Sequence, residues 1–232
     1  MVVQIALLLM MAMATVNAGD TNPVFDPCSD TKVHKGDGFT FGLAFAGKDN
    51  FFFNQTQLSP CDSRLKLSSS KAELALFRPK VDEISLLSIN GSFNPASIGG
   101  HMVAFAGRQY AARSLPVFVA DDTRIVTSFT LVLEFQKGIL QNLYFKKFQC
   151  SSCSGDFVCL NQTDCAVPVS KCTINNGPVD CGLSIQLAFS GTDKSDDVLN
   201  SWYEVAKLRQ YSLYALFNNL KDSITSPFSN LF

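Results

Sequence analysis

Residues Asp37 to Ala46 read D-G-F-T-F-G-L-A-F-A. Phe39, Phe41, Leu43 and Phe45 recur at every second position. Successive strand residues point to opposite faces, so this stretch is a β-strand with one strongly apolar face. The same period returns twice. Arg124 to Phe135 sets Ile125, Phe129, Leu131, Leu133 and Phe135 against Ser128, Thr130 and Glu134. Leu183 to Phe189 alternates Leu183, Ile185, Leu187 and Phe189 with Ser184, Gln186 and Ala188. Shorter strands are expected at Ala72–Arg78, Glu83–Ile89, His101–Ala106, Pro116–Ala120 and Ile139–Phe145. Asn90-Gly91, Gly99-Gly100, Asp121-Asp122 and Lys137-Gly138 supply turns between many of them. The expected fold is mainly β, an antiparallel sandwich-like or barrel-like domain.

Two segments depart from this pattern. Residues 150–181 are rich in Ser, Asn, Asp and Cys and lack periodicity, as expected of an irregular excursion that needs disulfide staples. Towards the C-terminus the period changes to 3.6. Leu213, Leu216, Phe217, Leu220 and Ile224 share one helical face and Pro227 follows, so residues 208–223 are expected to form an amphipathic helix. Val198 to Val205 is expected to pair as a strand with Leu183–Phe189.

The first residues carry a different signal. Val2 to Ala14 hold no charge and, Gln4 apart, are apolar. The run is shorter than the roughly 20 residues that span a bilayer. It ends in Val16-Asn17-Ala18, with small residues where a signal peptidase reads. Residues 1–18 are therefore expected to be a signal peptide and residues 19–232 a single secreted domain with no membrane anchor. The vacuole is the other destination this reading leaves open.

Nineteen Lys and Arg face 20 Asp and Glu, a net charge of −1. So even a balance gives no footprint for nucleic acid or an anionic membrane. With 20 Phe and a charged fraction of 17%, the chain is too apolar to be disordered. Its eight cysteines are Cys28, Cys61, Cys150, Cys153, Cys159, Cys165, Cys172 and Cys181. An even number in an exported chain means four disulfides. Cys28 and Cys61 bracket one strand and are expected to pair. The other six are expected to pair among themselves, in one of 15 ways. Zinc at Cys150-Ser-Ser-Cys153 is disfavoured, since no His lies nearby. Three Asn-x-Ser/Thr sequons, at Asn54, Asn90 and Asn161, are expected to be glycosylated if exposed. Phe52 is expected to pack against the first sugar on Asn54.

Catalysis finds little support. The two histidines, His34 and His101, read as loop or strand-end residues, and neither a G-x-S-x-G nor an H-E-x-x-H motif occurs. Asp193, Asp196 and Asp197 lack the spacing of a calcium loop and read as a hairpin turn. No catalytic, cofactor-binding or metal-binding residue is assigned. Glu134, on the polar face of a strong strand, is the one carboxylate of interest. Arg108, Tyr110 and Arg113 could face a carbohydrate or acidic partner.

Six segments carry a family resemblance. They are Gly36–Phe45 (G-D-G-F-T-F-G-L-A-F), Phe51–Asp62 (F-F-F-N-Q-T-Q-L-S-P-C-D), Phe77–Leu87 (F-R-P-K-V-D-E-I-S-L-L), Met102–Ser114 (M-V-A-F-A-G-R-Q-Y-A-A-R-S), Thr127–Phe135 (T-S-F-T-L-V-L-E-F) and Asn200–Tyr214 (N-S-W-Y-E-V-A-K-L-R-Q-Y-S-L-Y). From Pro27 to Leu220 the chain resembles an uncharacterised family of small secreted plant proteins. The resemblance implies a plant source and export to the cell wall space, and it adds no site. The function expected is a non-catalytic extracellular module that binds a cell-wall glycan or a secreted protein. The alternative is a carboxylate-dependent glycoside hydrolase.

Overall fold

A computed structural model describes residues 19–67, 71–89, 93–108, 112–147, 150, 153 and 157–203. The expected signal peptide, the helix over 208–223, Asn90 and Tyr110 lie outside the described residues. Among the described residues, fifteen strands follow in chain order. The first five are β1 (Phe41–Gly47), β2 (Phe52–Phe53), β3 (Thr56–Gln57), β4 (Glu73–Phe77) and β5 (Ser85–Ile89). Next come β6 (Gly100–Ala106), β7 (Ala112–Arg113), β8 (Val117–Phe118), β9 (Arg124–Val126) and β10 (Ser128–Gln136). The last are β11 (Ile139–Phe145), β12 (Val158–Leu160), β13 (Asp164–Pro168), β14 (Leu183–Thr192) and β15 (Val198–Leu199).

Ten of them build two five-stranded sheets, and the rest a three-stranded sheet, β12-β13-β9, and the hairpin β2-β3. The first runs β4-β1-β6-β7, with β8 also paired to β6; the second runs β11-β10-β14-β15, with β5 also paired to β14. Alternation decides what each sheet buries. Phe41, Leu43 and Phe45 of β1, Met102 and Ala104 of β6, Leu131 and Leu133 of β10, and Ile185 and Leu187 of β14 share one core. Phe39 meets Phe135 edge-on at 5.1 Å, and Phe135 stacks on Phe189. Each such side chain contributes about 1.5–3 kcal/mol by leaving water. The result is a sandwich, and neither sheet closes into a barrel among the described residues.

One pairing departs from the antiparallel expectation. β10 and β14 run parallel, Ser128 opposite Ser184 and Leu133 opposite Phe189. Parallel neighbours need a crossover rather than a hairpin. The chain returns from β11 to the start of β14 through the cysteine-rich stretch, which makes that stretch the crossover. It is also less irregular than expected. β12 and β13 form a hairpin, and β13 adds to β9 with Val167 opposite Ile125. Ala166, Val167, Cys172 and Cys181 are buried in the main core.

The outer face of the first sheet is also covered. Ala44, Ala46, Phe51, Val103 and Phe105 form a second apolar layer, against which Phe52, Leu67 and the two sulfurs of Cys28–Cys61 pack. The other disulfides join Cys150 to Cys159, Cys153 to Cys165, and Cys172 to Cys181. Val198–Leu199 pairs with Gly191–Thr192 rather than with the start of β14, and residues 201–203 already turn helical. The expected strand over 198–205 is thus two residues long, because β5 holds the edge of Leu183–Leu187.

Candidate functional site

On the outer face of the second sheet, Glu134 of β10 lies opposite Asn142 of β11. A bulge sits beside this pair: Phe135 faces Leu140, whereas Glu134 faces Asn142, so Gln141 is an extra residue on β11. Such an insertion re-aims the side chains beyond it. Leu140, Leu143 and Phe145 are buried, while Gln141 and Asn142 are both exposed. Two successive exposed residues mark the change of face. It brings Asn142 and Tyr144 onto the face of Glu134. The Tyr144 hydroxyl donates to Glu134 Oε1 (3.1 Å) and the Asn142 amide to Oε2 (3.2 Å). Burial, then the Glu134 charge and their hydrogen bond, raises the Tyr144 pKa above the usual phenol value. The phenol therefore stays a donor to Glu134.

Trp202 completes this face. It packs with Tyr144 over Val132 and Ala188, and Lys146 Nζ lies 5.7 Å from its ring centroid. A short cap sets its place. Asp82 accepts from the Asn200 and Ser201 amides (both 2.8 Å), and the Phe189 amide donates to the Ser201 hydroxyl (2.8 Å). Lys35 neutralises Asp82 at 2.7 Å. Sequence reasoning singled out Glu134 but not its partners. No local pattern carried that signal, because the bulge that gathers them shows only in the register with β10.

A second cluster resembles a catalytic triad and is built differently. Ser195 Oγ lies 3.2 Å from His34 Nδ1, and Asp193 Oδ2 lies 3.5 Å from the same nitrogen. A nucleophile–base–carboxylate relay needs its two partners on opposite ring nitrogens. Asp193 is committed to the backbone instead, accepting from Lys35, Ser195 and Asp197 amides at 2.7–3.0 Å. Burial pushes its pKa up, but these donors and His34 outweigh it, and the net shift is downward. Asp37 behaves likewise, with Thr21 and His34 as donors. The Asp193–Asp197 turn is thus a backbone knot, and no group of three metal-ligating side chains occurs among the described residues.

A cleft of about 260 Å³ opens between Pro95, Ile125 and the Cys172–Cys181 bridge. Three of its polar side chains serve the local backbone. Asn94 caps Ala96, Asp121 accepts from Thr123 and Arg124, and the Asn175 amide donates to the Val169 carbonyl. Nothing there converges on a ligand. His101 Nδ1 contacts the Gly99 carbonyl at 3.0 Å, beside Phe118. Arg108 sits in the turn after β6 and Arg113 is exposed on β7.

Of the sequons, Asn54 and Asn161 are exposed at hairpin tips, between β2 and β3 and between β12 and β13. Phe52 is half-buried on the second apolar layer, while Phe53 is 40% exposed. The expectation for Phe52 is therefore corrected: the residue with a ring to offer a sugar is Phe53. Strand alternation does not continue through Asn54, because the chain turns there.

No curated protein and no solved structure matches this chain. A family model described as "Uncharacterised protein DDB_G0273449" matches residues 1–125 and 117–221. That family takes its name from a Dictyostelium protein, which overturns the plant family expected from the six segments. Both sheets and all eight cysteines fall within the matched residues, and the chain belongs to this DDB_G0273449 family.

Proposed function

We propose that the protein is an exported, disulfide-bonded glycoprotein whose second sheet binds an extracellular polysaccharide without cleaving it. Export is supported by the apolar leader and by four disulfides, which persist in oxidising compartments. No helix among the described residues is long and apolar enough to cross a membrane. Asp20, Thr21 and Asn22, just beyond the expected cleavage point, are tied into the fold through Arg78, Asp37 and Gly38.

The observation that carries the binding reading is the set Glu134, Asn142, Tyr144 and Trp202. Aromatic rings take the C–H faces of a sugar, and a fixed carboxylate and amide take its hydroxyls. Hydrolysis would need a second carboxylate across the bond. The strand neighbours of Glu134 are Asn142 and Ser190. The test is an oligosaccharide array followed by titration calorimetry on the exported protein. Trp202→Ala and Glu134→Gln should each weaken binding about tenfold or more, the ~1.4 kcal/mol expected of a central contact. Retention of full affinity in both folded variants would discard this face. Release of new reducing ends would favour the hydrolase instead.

A further inference from the structure

The two described sequons have the same three residues, Asn54-Gln55-Thr56 and Asn161-Gln162-Thr163, with matching φ at the first two, although Phe53 pairs directly with Thr56 while Leu160 pairs with Asp164. Asn54 and Gln55 have φ of 48° and 64°; Asn161 and Gln162 have 50° and 63°. At Asn54-Gln55, a two-residue loop, positive φ at both central residues is the signature of a type I′ hairpin turn. What flanks them differs. Phe53 and Thr56 are direct cross-strand partners, so their side chains share one face of the hairpin. The next pair, Phe52 and Gln57, faces inward: Phe52 packs on the apolar layer, and Gln57 Nε2 donates to the Ser114 carbonyl at 2.7 Å. Phe53 and Thr56 therefore point outward. Arg64, held by Asp62 through two bonds of 2.7 and 3.0 Å, lies 5.6 Å from the Phe53 ring centroid and steadies it. At the second sequon the equivalent residue is Leu160, partly buried against the main core.

We infer that Asn54 carries an N-linked glycan whose first sugar packs on the Phe53 ring beside Thr56, and that this contact stabilises the fold. The inference rests on the export reading above. During export the Asn54 amide nitrogen attacks the anomeric carbon of a lipid-diphosphate-linked oligosaccharide. A C–N bond forms, the C–O bond to the diphosphate breaks, the lipid diphosphate leaves, and the amide gives up one proton. Folding then closes the turn and lays the sugar against Phe53, whose π-face takes its C–H groups. Asn161, which follows Leu160 rather than an aromatic residue, carries a glycan without this contact.

The experiment is a double-mutant cycle on the full chain secreted from a glycosylating eukaryotic host. Glycopeptide mass spectrometry reads occupancy at Asn54 and Asn161. Denaturant unfolding is then compared for the parent, Asn54→Gln, Phe53→Leu and the double variant. Phe53→Leu keeps apolar bulk so that the hairpin still folds. Loss of the Asn54 glycan should raise the unfolding constant about twofold to tenfold when Phe53 is present, the size of an aromatic contact beyond its area. It should leave that constant unchanged in the Phe53→Leu background, and Asn161→Gln should change it little in either background. Sugar at Asn54 with additive effects overturns this inference and leaves the export reading intact. Secreted protein bearing no sugar at Asn54 overturns it as well. A chain retained in the cytosol overturns the export reading and this inference together.

Discussion

Asp193 is almost fully buried and still ionised, because amide hydrogens take the place of water. Three amides converge on its two oxygens, one from Lys35, some 158 residues away. Asp37 repeats the arrangement with Thr21 and His34. Both carboxyls have lowered pKa values, since hydrogen bonds to the charged form outweigh burial. A folded pKa below the unfolded value of about 3.9 contributes stability that is full above that value. It is lost as pH falls through the folded value. The melting temperature should thus be flat near neutrality and fall below about pH 4. Asp193→Asn should cost about 2–4 kcal/mol at pH 7, since an amide cannot accept on both ends. It should also flatten the acid limb. Denaturant titration of parent and variant from pH 3 to 7 checks this, and parallel curves would show that Asp193 is not a source of the acid sensitivity.

Among the elements, β1 shows how a strand can be buried on both faces. Its inward face is Phe41, Leu43 and Phe45; its outward face is Gly42, Ala44 and Ala46. The small outward residues admit the second layer. A Cβ at Gly42 would lie 2.3 Å from Cζ of Phe105, its cross-strand partner. Gly42→Ala should destabilise by about 1–3 kcal/mol, the usual cost of overpacking a core. Circular-dichroism melts would read it, and Gly42→Ala with Phe105→Leu should recover part of the loss. The alternation of β1 was legible in the sequence because its period survives any packing partner. The bulge at Gln141 was not. It shows as one extra residue only when β10 supplies the register.

At the scale of the whole molecule, Cys28–Cys61 closes a 33-residue separation and holds the hairpin segment onto the first sheet. The chain-entropy account gives about 4 kcal/mol for a loop of this length. Replacing both cysteines by Ala should cost about that much in denaturant unfolding. Proteolysis should then begin in the segment from Lys48 to Leu67, which the bond holds against β1 and β6. Initial cleavage inside β10 or β14 would show that the bond holds the whole sandwich rather than one flap.

Local chemistry by itself determined the alternating strands, the even set of cysteines and the sequons, and it carries the expectation of a leader over residues 1–18. Each of these is written in neighbouring residues, where strand period, turn propensity and motif spacing act. Tertiary structure alone decided that β10 and β14 lie parallel, that the cysteine-rich stretch crosses between them, and that Tyr144 and Trp202 gather at Glu134. It also turned Phe53 rather than Phe52 outward. These depend on contacts between residues far apart in the chain. Their energies come from shared burial and register, which no window of neighbouring residues contains.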